Sequence, residues 1–284
     1  MALRVGIGLV TFNRREILAG TIAHVRAHTR RAPMEFIVAD DGSTDGTQQM
    51  CRELGICRVS GINRGVAWNK NRALFMLSRV LNCDVIILLE DDARPVASAW
   101  EDEWIAAALR WGHAGYAGTW MRDRFLSGTG TAADPVLAPA VTAQCAVYAR
   151  WALSRAGYFD SRFKGFGHEH VEHTLRLMRH GFGGVFRPED AGNPIVFYPI
   201  EGAVAAVDSA TYFDFERAEQ NRILMERFLV DTDYRDPWRG PEEEAALRNE
   251  ISAALRIMPP STLNPVVQIR AGSAGDSAGS AMGA

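Results

Sequence analysis

Residues 85–92 read VIILLEDD, so that five large aliphatic side chains run directly into three acids. Two shorter runs, Val5 to Thr11 and Glu35 to Ala39, are also rich in β-branched and aliphatic residues. Such runs are typical of strands that are covered on both faces. We therefore predict that all three are strands of one buried sheet.

Apolar residues recur at helical spacing in the segments between these runs. They are Ile17, Leu18, Ile22 and Val25 in the first segment, and Ala73, Leu74, Leu77, Val80 and Leu81 in a later one. Alternation of strands with helices predicts a mostly parallel α/β sheet with right-handed crossovers. Ligands of such sheets bind beyond the carboxyl ends of the strands. The polar segments at those ends are therefore the candidate site.

Composition excludes several classes of protein. The chain has 284 residues, 31 Lys and Arg against 34 Asp and Glu, and a net charge of −3, which argues against binding nucleic acid or an anionic membrane by bulk charge alone. The longest run of large aliphatic residues has five members, against about twenty for a membrane span. Because the N-terminal apolar stretch is short and has no cleavage site, we expect a cytoplasmic protein.

The second half of the chain divides less regularly. A long loop is predicted from Met121 to Pro135, and helical patterns return at 169–180 and 215–229. A further amphipathic helix follows Pro241, and twelve of the last fourteen residues are Ala, Gly or Ser. We predict one domain over residues 1–240, a C-terminal helix over 241–258 and a flexible tail over 259–284.

The segment after the second strand, residues 39–47, reads ADDGSTDGT. Two adjacent carboxylates at the end of a strand can accept hydrogen bonds from a nucleobase imide or from ribose hydroxyls. Gly42 permits a tight turn, and the Ser, Thr or Asp that follows can cap the next helix. From the residues alone, a simple turn and cap explains the segment equally well.

Glu90, Asp91 and Asp92 end the most hydrophobic strand. Carboxylates this close repel one another unless a cation neutralises them. Mg²⁺ or Mn²⁺ would do so and would usually be shared with phosphate oxygens. The alternative is a solvated acidic turn, but the predicted central position of the strand favours the metal.

Residues 165–173 read GFGHEHVEH and enter a predicted helix. The spacing excludes the zinc-protease pattern, because His168-Glu169 is followed four residues later by Glu172 rather than by histidine. A Glu or a His here could act as a general acid or base near neutral pH. At least one of these histidines is explained equally well as a cap or lining of the helix start.

Six stretches together resemble the inverting family 2 glycosyltransferases of the GT-A fold, over about Val5 to Leu229. They are VTFNR at 10–14, DDGSTDGT at 40–47, NRG at 63–65 with KNRAL at 70–74, EDD at 90–92, GYFD at 157–160 with Phe163, and EHVE at 169–172 with the residues after it up to Pro188. The resemblance implies a Rossmann-like, mostly parallel central sheet flanked by helices, and an enzyme that uses a nucleoside-diphosphate-sugar.

The resemblance also implies roles for individual residues. Thr11 and Asp41 would meet the base, with Asp41 facing an imide N–H, which favours a UDP- or dTDP-type donor. Asn13 and Glu90 belong to the same nucleotide-sugar site, and Arg64 would lie near the base or the diphosphate. Asp91 would contact the ribose, and Asp92 would ligate Mn²⁺ or Mg²⁺ between the phosphates.

This chain departs from the family pattern at two places. The usual Glu-Asp pair is replaced by Glu169-His170, so that either can be the base; we favour Glu169, with His170 orienting the acceptor or the diphosphate. The late histidine that ligates the metal in many relatives is missing, and Glu201, Asp208 or water could take its place. We expect the metal to bind weakly without nucleotide.

The acceptor is a hydroxyl-bearing molecule that the sequence does not identify further: a glycan, a small molecule or a modified nucleic-acid base. By resemblance its site would include Trp120, Arg122, Arg124, Gly167 and His168. Two alternatives to a glycosyltransferase stay open. One is a nucleotidyltransferase with a similar sheet, and the other is a catalytically weak protein that binds nucleotide-sugars. The first usually has a Gly-rich phosphate loop, whereas no glycine lies between Gly8 and Gly20.

Overall fold

The computed structural model describes residues 2–207, 214–229 and 233–258. The predicted tail at 259–284 and Asp208 lie outside these residues. The strands of the described chain are β1 (Val5–Thr11), β2 (Glu35–Asp40), β3 (Cys57–Ser60), β4 (Val85–Glu90), β5 (Ala93–Pro95), β6 (His113–Tyr116), β7 (Thr142–Ala149), β8 (Gly184–Phe186), β9 (Ile195–Phe197) and β10 (Val204–Ala206). The α-helices are α1 (Arg15–His28), α2 (Thr47–Glu53), α3 (Val66–Phe75), α4 (Trp100–Trp111), α5 (Arg150–Ala156), α6 (Glu169–Arg179), α7 (Phe215–Arg227) and α8 (Pro241–Arg256).

Six of the strands form the central sheet, in the order β3-β2-β1-β4-β7-β6. The four strands from β3 to β4 are parallel, and β7 is antiparallel to both of its neighbours. The three predicted strands, now β1, β2 and β4, are adjacent to one another. This confirms the predicted α/β class with a mostly parallel sheet, and it places the three polar strand ends side by side.

Helices cover both faces of this sheet closely, which is why its central strands are almost wholly buried. On one face, α3 and the π-helical turn after it (Met76–Val80) pack on β1. There Gly6 and Gly8 remove the side chains that would collide: a Cβ on Gly6 would lie 2.7 Å from Leu77 Cδ2, and one on Gly8 would lie 3.0 Å from Ala73 Cβ. The close packing holds α3 rigidly over the strands that end in the site.

Two small sheets flank the central one. β5 pairs with β10, and β8 pairs with β9. The segment predicted as a loop from Met121 differs in part, because a 3₁₀ helix covers Thr119–Arg124 and buries Met121 beneath it. The residues after it up to Pro135 have no regular helix or strand beyond an isolated bridge at Ser127.

The C-terminal helix α8 packs on β3 through Leu247, Ile251 and Ala254, which are buried. Glu250 on the same helix reaches Arg72 of α3 with Nε–Oε2 at 2.9 Å and Nη2–Oε1 at 3.1 Å. The predicted terminal helix is thus joined to the helix that borders the site. None of the helices in the described residues is both long enough and apolar enough to cross a bilayer.

Candidate active site

The carboxyl ends of β1, β2 and β4 meet at one edge of the sheet, as their parallel order requires. They line a cavity of about 140 Å³ that includes Thr11, Arg14, Asp41, Glu90 and Asp91. A second cavity of about 710 Å³ begins at the same place and extends to the start of α6. The two cavities share the lining residues Phe12, Arg14, Val66 and Glu90, so strand ends and helix start border one continuous region.

Asp91 lies at the centre of the strand ends and is only 2% exposed. Thr11 Oγ1 donates to its Oδ2 at 2.7 Å, and Arg14 Nη1 lies 2.7 Å from its Oδ1. Burial raises the pKa of Asp91 to about 7; Asp92 and Glu90 add to the rise, while Thr11 and Arg14 oppose it. Thr11 and Asp91, which the sequence analysis assigns to the base and to the ribose, are thus in direct contact.

Asp92 shares its cation with Asp91. Arg14 Nη2 donates to Asp92 Oδ2 at 3.1 Å, so that one guanidinium spans both carboxylates. Asp92 lines the larger cavity. Arg14 follows β1 and precedes the first residue of α1, and its side chain is 24% exposed.

Asp41 is held from three directions after β2. Its Oδ1 accepts from Arg72 Nη1 at 2.6 Å and from the backbone N–H of Arg64 at 3.0 Å, and its Oδ2 accepts from the N–H of Gly65 at 2.8 Å. Burial raises the pKa of Asp41, while these donors oppose the rise. The carboxylate is therefore preorganised at the cavity wall. Its neighbour Asp40 is fully buried and ion-paired with Arg58.

Asn13 and Arg64 lie beside the site but outside the described lining of both cavities. Asn13 Oδ1 accepts from the backbone N–H of Thr44 at 2.8 Å, which ties the end of β1 to the turn after β2. The Arg64 guanidinium lies 4.6 Å from the centre of the Trp68 ring. In this structure the Asn13 side chain supports the turn after β2, and the Arg64 side chain packs on α3.

Lys70 on α3 connects the strand end to the start of α6. Its Nζ lies 2.9 Å from Glu90 Oε1 and 3.4 Å from Glu169 Oε1, and the side chain is only 3% exposed. Burial alone would lower the pKa of Lys70, but the two carboxylates outweigh burial and raise it. The ammonium therefore stays charged inside the protein.

Glu169 is the first residue of α6 and is 3% exposed. Burial acts to raise its pKa, yet Lys70 and His170, whose Nδ1 lies 3.4 Å from Glu169 Oε1, together hold the pKa well below its usual value. Its second oxygen, Oε2, is buried and has no hydrogen-bond partner among the described residues. Glu169 is thus an ionised carboxylate with one oxygen still able to accept a proton or a hydrogen bond.

His168 and Gly167 complete the wall in front of α6, and His170 also lines the larger cavity. The loop before them is held against α3, because Val66 N–H donates to Gly165 O at 2.8 Å. Gly65 makes this approach possible: it has a φ of +94°, and a Cβ there would lie 2.7 Å from the backbone nitrogen of Gly165. The contact fixes Glu169 opposite Lys70.

Trp120, Arg122 and Arg124 lie together on the 3₁₀ helix Thr119–Arg124. Trp120 is 60% exposed, and Arg122 is paired with Glu201 at 2.9 Å. The described lining of the two cavities includes none of the three. Their role in acceptor binding stays a prediction.

Three cations of the site carry no assigned role in the sequence analysis: Arg14, Lys70 and Arg72. Lys70 has a usable signal, since it is three residues from both Ala67 and Ala73 and four from Leu74, on the apolar face of its helix. Only two of the 31 Lys and Arg residues are lysines. Arg14 stands in a loop, where no periodicity reveals what a side chain will contact.

Asp91 and Asp92 offer the hard carboxylate oxygens that Mg²⁺ and Mn²⁺ prefer. Within residues 2–207, 214–229 and 233–258, no three His, Cys, Asp or Glu side chains are gathered to hold an ion by themselves. Glu201, one candidate for the missing ligand, is paired with Arg122 instead. The donor set therefore fits an ion whose remaining ligands come from phosphate or water.

Comparison with known proteins gives the same picture. Residues 7–180 match the model of the family described as "Glycosyl transferase family 2". No curated protein sequence matches the chain.

Solved structures share the fold at low sequence identity. A mannosyltransferase from Pyrobaculum calidifontis, solved with GDP-Man and Mn²⁺, has 16% identity and a TM-score of 0.56 over 94% of this chain and 73% of its own. TarS of S. aureus has 15% identity and a TM-score of 0.55 over 90% of this chain and 43% of its own. GalNAc-T7, solved with UDP, GalNAc and Mn²⁺, has 12% identity and a TM-score of 0.56 over 79% of this chain and 48% of its own.

The family match covers more than half of the chain and contains the strand ends and the start of α6 described above. It confirms the resemblance and the GT-A type of α/β sheet, and it sets aside a nucleotidyltransferase. The chain belongs to glycosyl transferase family 2, and it is an enzyme that transfers a sugar from a nucleotide-sugar.

Proposed function

We propose that this enzyme uses a UDP- or dTDP-type sugar donor, requires Mn²⁺ or Mg²⁺, and inverts the anomeric carbon as it transfers the sugar to an acceptor hydroxyl. The observation that carries this proposal is the continuity of the two cavities. Thr11 at the end of β1 and acids at the ends of β2 and β4 border one cavity, and Glu169 and His170 border the adjoining one. A donor whose nucleotide lies over the strand ends presents its sugar to these two residues.

The donor half supports binding of a pyrimidine nucleotide. Asp41 is fixed at the cavity wall by Arg72 and by two backbone N–H groups, and a carboxylate oxygen is a suitable acceptor for an imide N–H. Asp91 stands beside it, at the position proposed for contact with the ribose. Glu90 borders both cavities, where the sugar and the diphosphate would meet.

Asp92 is the proposed metal ligand, with Asp91 beside it. A divalent ion bound there stabilises the negative charge that gathers on the leaving nucleoside diphosphate. Because the described residues provide too few ligands of their own, binding of the ion should depend on phosphate oxygens. GDP-Man with Mn²⁺ and UDP with Mn²⁺ in the two solved relatives support an ion of this kind.

Glu169 is the proposed general base. In an inverting transfer, the acceptor oxygen bonds to the anomeric carbon as the bond from that carbon to the diphosphate breaks, and the hydroxyl proton passes to a base. Glu169 borders the larger cavity, and its buried Oε2 atom has no hydrogen-bond partner in the described chain. Lys70 and His170 on the Oε1 side leave Oε2 to receive that proton, while His170 orients the acceptor or the diphosphate.

The acceptor would enter past Gly167 and His168. Apolar walls formed by Phe12, Val66 and Phe166 stand opposite these polar groups, and a sugar ring can pack its C–H face on such side chains. Trp120, Arg122 and Arg124 are proposed as outer contacts for an acceptor that extends beyond the cavity.

Release of UDP or dTDP from a panel of sugar donors with Mn²⁺ tests the proposal. Asp92→Asn should abolish release, while Asp84→Asn, at the opposite end of β4, should leave it unchanged. Glu169→Gln should reduce turnover by about 10²–10⁴-fold, the range for loss of a general base, without weakening donor binding.

The same assay with His170→Gln decides between the two candidates for the base. A smaller loss than in Glu169→Gln is expected, and an exposed carboxylate on α7, in Glu219→Gln, is the control. Unchanged turnover in Glu169→Gln with loss in His170→Gln would reverse the assignment. Nucleotide binding with no turnover for any donor would contradict the proposed transfer.

A further inference from the structure

The Arg14 side chain contacts the two carboxylates beside which the proposed metal ion would bind. Its guanidinium spans the two aspartates, with Nη1 2.7 Å from Asp91 Oδ1 and Nη2 3.1 Å from Asp92 Oδ2. It borders both cavities. The acids of the site therefore already have a cation, and that cation belongs to the protein.

The guanidinium and a divalent ion cannot both take the same carboxylate face. Both would draw on the carboxylate of Asp92, and two positive charges within a few ångströms repel one another. Arg14 is thus a competitor of the metal in the free enzyme. A metal ion can bind Asp92 tightly only when the Arg14 guanidinium has left this carboxylate, for example to pair with another anion.

A nucleoside diphosphate provides such an anion. Guanidinium groups bind phosphate oxygens through two parallel hydrogen bonds, as they bind carboxylates. Arg14 is on a loop between β1 and α1 and is a quarter exposed. It can therefore change partners by rotating its own side chain, without a change in the sheet.

We propose that Arg14 is a positioning residue that holds Asp91 and Asp92 in the free enzyme and passes to the diphosphate when the donor binds, so that the metal and the nucleotide bind cooperatively. This inference rests on the proposed function. It explains in physical terms why the metal should bind weakly without nucleotide: the ion would have to displace an internal cation and would gain no phosphate in return.

The test is a calorimetric titration of Mn²⁺ into the full chain, with and without saturating UDP, for the wild type and for Arg14→Gln. UDP should tighten Mn²⁺ binding strongly in the wild type. In Arg14→Gln, Mn²⁺ alone should bind about ten-fold tighter, and the enhancement by UDP should fall by a similar factor, within the usual range of coupling between two ligands. The control is Arg15→Gln, which removes the same charge from the next residue, where the side chain pairs with Glu16.

A second variant separates charge from geometry. Arg14→Lys keeps the charge but cannot span two carboxylates with a planar fork, so its affinity for Mn²⁺ should lie between those of the wild type and Arg14→Gln. Thermal unfolding confirms that each variant is folded before titration.

Two results would overturn the inference, and they are distinguishable. In the first result, Arg14→Gln and Arg15→Gln both bind Mn²⁺ as the wild type does, and UDP still enhances Mn²⁺ binding. This result would refute the role of Arg14 but not the proposed function. If the wild type does not bind UDP, and does not bind Mn²⁺ in the presence of UDP either, the proposed function and this inference are both refuted.

Discussion

Arg14 and Lys70 both neutralise acids of the active site, but the protein holds them in opposite ways. Arg14 stands on a loop, is a quarter exposed and faces Asp91 and Asp92. Lys70 stands within α3, is 3% exposed and lies between Glu90 and Glu169. A cation that reaches solvent can exchange its partners, whereas a buried one must keep them, because removing either partner leaves a charge without solvation.

The difference assigns different tasks to the two halves of the site. On the proposed function, the donor half would accept and release a metal and a diphosphate in every turnover, so its internal cation would have to be displaceable. The half near α6 has to keep Glu169 ionised and in place, and a fixed ammonium does both. Two of the following changes each remove one of these cations, and the others test how the fold holds further buried charged or titratable groups.

The largest loss of stability is expected for Lys70→Met. Glu90 and Glu169 would lose their shared ammonium, and breaking a buried ion pair costs about 3–5 kcal/mol. Urea unfolding at pH 7 measures this loss in the free energy of unfolding. Lys164→Met, the other lysine of the chain, is the control and should cost less than about 1 kcal/mol. A loss that small in Lys70→Met would mean that Lys70 does not fix the base.

Glu250→Gln should rank second. Arg72 is fully buried and pairs with both Asp41 and Glu250; because Asp41 remains, the expected loss is about 2–3 kcal/mol, below the full cost of an unpaired buried charge. Nucleotide affinity should weaken as well, since Arg72 positions Asp41. On the same helix, Glu244→Gln breaks an exposed pair with Arg248 and should change unfolding by less than about 0.5 kcal/mol.

Acidification tests how burial acts on an ionisable side chain that, unlike Lys70, has no carboxylate partner among the residues that the structure describes. His113 is buried among uncharged groups, and burial lowers its pKa to about 4. Between that value and the ordinary 6.5, only the unfolded chain binds a proton at this ring. Stability should therefore fall as the pH falls, by roughly 2 kcal/mol between pH 7 and pH 5 from this group alone.

Urea titrations of His113→Gln at several pH values check this contribution. The slope of stability against pH should become shallower in that variant. His28→Gln, on the partly exposed side of α1, should keep the slope of the wild type. An unchanged slope in His113→Gln would show that folding does not lower the pKa of this ring.

The smallest effect on stability is expected for Arg14→Gln, although a large effect on metal binding is proposed. Asp91 and Asp92 are buried, but Arg14 is a quarter exposed, so that water can partly replace its guanidinium. Urea unfolding should therefore change by about 1 kcal/mol, well below the cost of breaking a fully buried pair. If the loss matched that of Lys70→Met, Arg14 would be a fixed structural cation, and the contrast between the two halves would disappear.

The sequence predicts the acids of this site better than it predicts their cations. Aliphatic runs locate β1, β2 and β4, and the parallel order then requires Thr11, Asp41 and Asp91 to converge, because every such strand ends at the same edge. Lys70 could have been found from its place on the apolar face of α3. Arg14 could not, since the conformation of a loop depends on tertiary contacts rather than on spacing.

Other residues show the same limit. Asn13 and Arg64 stand in motifs typical of the family, yet their side chains contact the turn after β2 and the Trp68 ring. Trp120, Arg122 and Arg124 lie on a 3₁₀ helix that no periodic pattern in the sequence predicts. Spacing and strand order thus locate residues that extend regular strands and helices, whereas the positions of residues in irregular segments require the structure.

A crystal structure of the enzyme with UDP and Mn²⁺ tests the contrast between the two cations most directly. We predict that the Arg14 guanidinium has left Asp92 and contacts the diphosphate, that Mn²⁺ lies between Asp92 and the phosphates, and that Lys70 remains within about 3.5 Å of both Glu90 and Glu169, the limit of a charged hydrogen bond. A complex in which Arg14 still spans Asp91 and Asp92, or in which Lys70 has changed partners, would contradict it.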